Sequence, residues 1–499
     1  MQLLPKVTVN KLIKNLLYKK KNQTIFSFEN KKISRLELLN KILQTRKGLL
    51  KKGFRKKDAV ISLMENSYEQ IILFLACISL GIVWIPIESK RKGIGLNYII
   101  SLVKPKAIFT KKKNNLTKKY HKKIIIIKKN LNNILQPIDN YDLKFEKLTK
   151  CILFTSGTTG PPKGVIVTDK MLIASAYASG VACDIKYKDK FLLWESLSHI
   201  GGIEILLLCL MQGSSFILQK KFSAKNFWKN IKKNKITKLH YLGGILDILI
   251  KQKKKNSDKN HQVKLAFGAG ARKENYYIFK KRFNIPLREV YGMTEASSFT
   301  TINFNEKIGS IGKVLPWFKL KIINKIRGIG EIVIEEKQKG LITKGYYGDA
   351  RSSKELIQKN QLYSGDLGKI DAKGNVYYIG RKRDSVRVKG ENISAWEIET
   401  NLNSHKNISE SAILSTKADI GEDDIIALIV YKSKNKTKLQ KIALYFQKVL
   451  PKNYNPRYWA YVKQFPRTPT FRINKKKINI RNIKFYDFLK KRFKTLKKN

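Results

Sequence analysis

Two hydrophobic periods alternate along most of this chain, and that alternation limits the fold more than any single motif does. Residues 36–52 carry apolar side chains at helical spacing, and 58–64, "DAVISLM", form a short strand-like run. Residues 71–86, "IILFLACISLGIVWIP", read as a buried helix, a turn at Gly81 and a short strand. That run is shorter than the ~20 residues of a membrane-spanning helix, and Gly81 and Pro86 interrupt it. "PKAIFT" follows as another strand, and "KIIIIKK" stands out from a basic, Asn-rich segment over 111–150. The alternation resumes over 191–290 with "FLLW", "IEILLLCLM", "SSFIL", "KLHYL", "VKLAFGAG" and "PLREVYG". Such alternation predicts α/β layers with a parallel sheet. After about residue 310 the texture becomes short strands with Gly, Asp and Asn turns, which predicts antiparallel pairs. A last segment from about Asp384 mixes both periods and ends in a basic tail.

Length and composition bound the class. The 499 residues correspond to roughly three domains' worth of chain. Apolar content of 42% is that of a globular protein, not a disordered one. The formal net charge of +65 raises nucleic acid or an anionic membrane as a partner. The basic residues are scattered, however, with short runs at 111–113, 251–255 and 475–477, and no zinc-finger or RNP-like spacing accompanies them. Lys, Asn and Ile are all abundant and share A/T-rich codons, so compositional drift explains the charge. No specific nucleic acid is expected, and at most a peripheral attraction to anionic membrane. Cys77, Cys151, Cys183 and Cys209 lie far apart without a CxxC pair, which predicts buried free thiols in a reducing compartment. The N-terminal residues lack an unbroken apolar stretch and a small-residue cleavage site, so a cytoplasmic protein without a signal peptide is expected.

The densest chemical signal is "CILFTSGTTGPPKGVIV", residues 151–167. Thr155, Ser156, Thr158 and Thr159 surround Gly157 and Gly160, and Lys163 closes the loop. This is not GxxxxGK[ST]. Glycines still let backbone N–H groups approach an anion, hydroxyls add donors, and lysine adds a point charge suited to phosphate. With the apolar strand before it and the helical 171–182 after it, the loop reads as a strand–turn–helix phosphate site. Alone, it is equally compatible with an ordinary turn.

It does not stand alone. "FTSGTTGPPKGV", "VYGMTE" (290–295), "LYSGDLG" (362–368), "GRKRDSVRVKGENISAWEIE" (380–399) and "FPRTPTFRINK" (465–475) occur in that order. Together they resemble the motifs of the adenylate-forming superfamily, which includes acyl-CoA synthetases, luciferases and nonribosomal adenylation domains. The resemblance implies a large N-terminal domain, residues 1–383, of layered α/β subdomains plus a distorted β-barrel. It implies a small mobile α+β domain, residues 384–499, after a hinge at Asp384. It implies ATP, Mg²⁺ and coenzyme A, and a two-step reaction: a carboxylic acid is joined to the α-phosphate of ATP with loss of pyrophosphate, then passed to the thiol.

The same resemblance assigns roles. Glu295 would hold Mg²⁺, helped by the Ser156 hydroxyl; a carboxylate is a hard oxygen ligand. Tyr291 would stack near adenine, Thr294 would bind phosphate, and Gly292 and Met293 belong to the same motif. Gly268, Ala269 and Gly270 match the adenine-facing turn. Asp366 would accept the ribose hydroxyls, with Arg381 holding the nucleotide near the hinge. His199, in "SLSHIGGIE", would wall the carboxylate pocket. Lys389, Gly390 and Glu391 would line the CoA channel after the small domain rotates.

One motif departs from the pattern. The family's last motif presents Gly-Lys, and that lysine bridges carboxylate and phosphate. Here the pair is Phe471 and Arg472. Arg472 keeps the charge and is expected to take the lysine's role, with Lys475 in reserve. The Gly-rich, apolar texture around His199 predicts an aliphatic or fatty acid substrate. An adenylation enzyme that loads a carrier protein, and a catalytically weakened relative that only binds, stand as alternatives.

Overall fold

The computed structural model describes residues 4–18, 20–112, 118–128, 131–146, 150–155, 161–326, 328–382, 385–388, 391–417, 423–432, 438–450, 454–468 and 471–496. Two sheets and the helices between them make the large α/β body. The first sheet runs Ile124–Ile126, Ala107–Thr110, Ala59–Met64, Val83–Glu88, Lys150–Thr155, Lys163–Thr168, parallel except for its last pair. The second has nine strands, with Lys238–Leu242, Leu265–Ala269 and Leu287–Tyr291 parallel at its centre and antiparallel pairs at both edges.

The helix Tyr68–Ser79 is buried at every position, as its apolar run from Ile71 to Ile78 requires when helices Val9–Tyr18 and Arg35–Lys51 and the strand Val83–Glu88 pack around it. Ser67 caps it by accepting from the Gln70 backbone N–H. Asp169–Cys183 and Ile200–Gln212 pack against one another, and one apolar cluster joins them to both sheets through Trp84, Cys151, Phe191 and Phe216. The parallel layers expected over 30–290 are therefore present. The turn at Gly81 is also as read, with φ +67 between helix and strand. All four cysteines are free and buried. No helix among the described residues is long and apolar enough to cross a membrane.

The antiparallel region is a separate sheet of Phe318–Ile326, Ile329–Glu336, Gln361–Ile370, Ile357–Gln358 and Val376–Arg381. Where the sequence suggests a distorted barrel, it forms an open half-barrel. The last five-stranded sheet begins at Ile408 and is flanked by Ala395–Ser404 and Leu439–Val449. Its two apolar clusters contain only residues from 395 onward, so this segment has its own core. Asp384, the expected hinge, lies outside the described residues.

Candidate active site

Lys150–Thr155 and Lys163–Thr168 pair antiparallel with Thr155 opposite Lys163. The strand–turn–helix reading is thus corrected to strand–loop–strand. The helix Asp169–Cys183 starts only after the second strand, capped by Thr168. The physical reason is local: "KGVIVT" is β-branched and alternating, and it extends before any helix can begin. Ser156, Gly157, Thr158, Thr159 and Gly160 lie outside the described residues. Thr155 donates weakly to the Lys163 carbonyl at 3.4 Å. The Gly164 carbonyl accepts from the Tyr347 N–H at 2.7 Å, which lays residues 345–347 along the hairpin.

That lamination brings in Tyr346, a residue not singled out in the sequence. The Lys163 ammonium lies 5.0 Å from the centre of its ring. Its hydroxyl donates to Glu295 Oε1 at 2.9 Å. Tyr346 therefore joins the phosphate hairpin to the carboxylate expected to hold metal. Burial pushes the Glu295 carboxyl up, against the opposing pull of the Tyr346 hydrogen bond and the Arg381 charge. A buried carboxylate whose charged form is costly is a group that a divalent cation would stabilise. The residues present fit Mg²⁺, which would supply positive charge at the phosphates.

Glu295 precedes a strained turn. Ser297 and Ser298 both hold left-handed backbone, at φ +57 and +69. They fold the chain back until the Ser298 carbonyl abuts Gly292, where a Cβ would collide with it. Gly292, Met293 and Thr294 form the partly exposed lip of this turn. Tyr291 is buried, its ring 6.2 Å from Tyr378 and its hydroxyl donating to Asp366 Oδ2 at 2.8 Å. Arg381 Nε lies 2.7 Å from Asp366 Oδ1, and the two residues face each other across Gln361–Ile370 and Val376–Arg381. Asp366 is 3% exposed, so its charge is compensated before any ligand arrives. A carboxylate oxygen can accept more than one hydrogen bond, the capacity that a ribose hydroxyl would use.

Gly268 and Ala269 end the strand Leu265–Ala269, and Gly270 turns at φ +86. A Cβ at Gly243 would collide with the Gly270 carbonyl. Glu289 ties this turn down. Its carboxylate accepts from the N–H groups of Gly270 and Ala271 and, at 2.6 Å, from the Tyr241 hydroxyl. Burial pushes the Glu289 carboxyl up to about 7 despite those donors. An acidic residue within the apolar strand "LREVY" is the signal that marks it.

The His199 side is built differently. His199 caps Ile200–Gln212, and its Nε2 lies 2.7 Å from Glu88 Oε1. Burial works to raise the Glu88 carboxyl, but the His199 hydrogen bond and the nearby charges of His199, Arg91 and Lys90 hold it below the usual value. Four residues before His199, the Glu195 carboxylate meets His240 Nδ1, and His240 Nε2 lies 3.9 Å from Glu204 Oε1. Glu204 is 0% exposed, and burial pushes its carboxyl up to about 7. Glu88, Glu195 and His240 lie outside the motifs given a role in the sequence, and Glu204 is the last residue of "SLSHIGGIE", where only His199 was given one.

In the small domain, Thr468 to Arg472 closes a tight loop: Thr468 N–H donates to the Arg472 carbonyl at 2.8 Å, and Phe471 N–H to the Thr468 carbonyl at 2.9 Å. Arg472 is exposed and makes no ion pair among the described residues. Lys475 is 2.6 Å from Glu399. The two candidate cations thus differ in availability. Phe471 packs on Gly244, next to the Gly243–Gly270 contact, so the backbone leading into Arg472 abuts the turn expected to face adenine. Glu391 begins a strand, Glu391–Ser394, paired with Ser385–Val388; Lys389 and Gly390 lie outside the described residues.

This architecture, with a nucleotide-type site at the junction of two α/β sheets and a half-barrel, defines an adenylate-forming enzyme. Residues 14–347 match the model of the AMP-binding enzyme family, and the chain belongs to that family. It is 29% identical to 2-succinylbenzoate–CoA ligase of Oceanobacillus iheyensis, over 87% of this chain and 91% of that protein. Among solved structures it resembles ATP-bound MatB from Rhodopseudomonas palustris, with a TM-score of 0.84 at 21% identity, covering 94% of this chain and 98% of that one. It also resembles o-succinylbenzoate CoA synthetase from Bacillus subtilis in complex with the acyl-adenylate intermediate OSB-AMP. There the TM-score is 0.82 at 21% identity, with 93% and 97% of the two chains covered. Against a double mutant of that synthetase bound with a CoA product analogue the TM-score is 0.67, with 93% and 96% covered.

Proposed function

We propose that this protein is an AMP-forming acid–CoA ligase. A carboxylate oxygen attacks the α-phosphorus of ATP, the α–β phosphoanhydride bond breaks, and pyrophosphate leaves. The sulfur of CoA then attacks the acyl carbon, and the bond to AMP breaks. The observation that carries this reading is the buried convergence of Tyr291, Asp366, Arg381, Glu295 and Tyr346, held in family order beneath the hairpin of Lys163. Asp366 takes the ribose, Glu295 and Ser156 take Mg²⁺, and Thr155 to Gly160 with Lys163 and Thr294 take the phosphates. Gly268 to Gly270 and Gly292 to Met293 frame adenine. Tyr291 acts through its hydroxyl on Asp366 rather than through an open ring face.

His199 walls the acid pocket, Arg472 is the cation that meets carboxylate and phosphate, and Lys389 to Glu391 serve CoA after rotation about Asp384. Arg472 is preferred over Lys475 because Lys475 is held by Glu399. The higher similarity to the acyl-adenylate complex than to the CoA-product complex supports an arrangement suited to the first half-reaction.

The acid to test first is 2-succinylbenzoate, after the curated relative. The fatty-acid expectation rested on apolar texture, whereas His199 pairs with Glu88, and Glu195, packed on Gly201 two residues beyond His199, pairs with the buried His240 next to Glu204. Such polar surroundings suit a functionalised acid better than an alkyl chain. AMP release is measured with ATP, CoA and a panel of 2-succinylbenzoate, benzoates, short branched acids and long-chain acids. CoA-dependent release with an aryl acid is expected. Release with long-chain acids alone would restore the fatty-acid reading, and release with a carrier protein but not CoA would replace the acceptor.

A further inference from the structure

Phe471 is the least ordinary residue of the small domain. It holds left-handed backbone at φ +61, where a bulky side chain is strained and glycine is favoured. The ring does not remain in its own domain. It packs edge-on against Phe222, centroids 5.4 Å apart at 73°, joining an apolar cluster otherwise made of residues 192–308. Phe222 in turn contacts Trp194 and Phe227 at 5.4 and 5.8 Å. The backbone comes equally close: a Cβ at Gly244 would sit 2.9 Å from Phe471 Cβ.

A second contact crosses the same boundary. Glu410, on the strand Ile408–Lys417, has a side chain 5% exposed. Its carboxylate meets Arg467 from its own domain at 2.5 Å. From the large domain it meets Lys251 at 3.5 Å and Arg272 at 3.8 Å. Arg272 also donates to the Ser409 carbonyl at 3.3 Å and is itself anchored by Asp247. Arg467 donates to the Phe471 carbonyl at 3.2 Å, so the apolar and ionic contacts are mechanically joined.

We propose that Phe471 and Glu410 form a two-point latch that holds the small domain where Arg472 addresses the adenine-facing turn, with Phe471 as the positioning residue for Arg472. This rests on the ligase reading above. The strain at Phe471 makes the proposal testable, because the two explanations of that residue differ in sign. If position 471 is only a turn, Phe471→Gly removes strain and leaves adenylation intact or faster. If the ring is the latch, the same change frees the loop and slows adenylation.

The full chain is compared as wild type, Phe471→Gly, Phe471→Leu and Glu410→Gln in two assays: acid-dependent ATP–pyrophosphate exchange, and consumption of preformed acyl-adenylate by CoA. Phe471→Gly is expected to lower exchange kcat on the order of tenfold with little change in the KM for ATP, since misplacing a group costs turnover more than binding. Thioester formation stays at wild-type rate or rises, and Phe471→Leu retains most of the exchange. Glu410→Gln shifts both assays in the same directions. Hydrogen exchange over 243–250 supplies a readout independent of activity, and protection there is expected to fall in Phe471→Gly. Unchanged protection together with wild-type or faster pyrophosphate exchange in Phe471→Gly would overturn the latch. If wild type exchanges pyrophosphate with no acid, the ligase reading fails, and the protection data alone decide the latch.

Discussion

The side of the site expected to take nucleotide and the side expected to take the acid neutralise their buried charges in different ways. On the nucleotide side, the Asp366 carboxylate is flanked by the Arg381 guanidinium and the Tyr291 hydroxyl. On the acid side, Glu88 pairs with His199, while Glu195 and Glu204 share His240. Within the second group burial pushes Glu204 up to about 7, and the Glu195 charge raises His240 against its burial, so the charge of that pair depends on pH.

The sharpest way to break that contrast is Asp366→Ala. It leaves the half-buried Arg381 guanidinium without its carboxylate and removes the expected ribose acceptor, so the KM for ATP should rise on the order of 100-fold while the KM for the acid stays close to wild type. Pyrophosphate exchange titrated against each substrate checks it. A parallel rise in both constants would show that the two sides are not separable.

Next is the pH response of Glu204. Its folded value of about 7 exceeds its ordinary 4.5. Between those limits the unfolded chain releases a proton that the folded chain keeps, so stability falls as pH rises and is level above 7. His240, also raised, adds a loss of the same sign as pH passes upward through its folded value. Glu195, Ser298 and Ser179 are the other polar groups acting on this pair. Glu204→Gln removes the carboxyl's share, about 2 kcal/mol between pH 5 and pH 8. The difference in Tm between those two pH values should shrink in the variant, and an unchanged difference would remove Glu204 from the account.

Smaller effects refine the boundary. His199→Ala should raise the KM for the acid about tenfold and leave the KM for ATP alone, consistent with loss of one charge-assisted contact. Tyr346→Phe, which deletes only the hydroxyl on Glu295, should weaken Mg²⁺ dependence by a factor of about three to five. Titration of exchange activity against Mg²⁺ measures it.

The same contrast governs what could be read from the sequence. The parallel layers and the antiparallel strands were legible because hydrophobic period and turn residues mark them, whereas Asp366, Arg381, Tyr291 and Glu295 were picked out by resemblance to the motifs of a family. The Gly243–Gly270 approach and the Ser297–Ser298 turn show the close backbone contacts behind the glycines of two such motifs. The strand after Pro162 was misread because a glycine loop followed at a distance by a helix suggests direct feeding, while "KGVIVT" between them is the better strand. Glu88, Glu195 and His240 were not singled out, and Glu204 was quoted within "SLSHIGGIE" without a role, because each is a single polar residue distant in sequence from its partner. Only the packing of Val83–Glu88, Ile200–Gln212 and Lys238–Leu242 brings them together.

The central claim is that this chain adenylates a carboxylic acid and that Arg472 supplies the cation that does so. Acid-dependent ATP–pyrophosphate exchange, run on wild type, Arg472→Ala and Lys475→Ala, tests it most directly. The account predicts exchange in wild type, its near loss in Arg472→Ala and its retention in Lys475→Ala. Loss in Lys475→Ala with retention in Arg472→Ala, or no exchange in wild type with any acid of the panel, would contradict it.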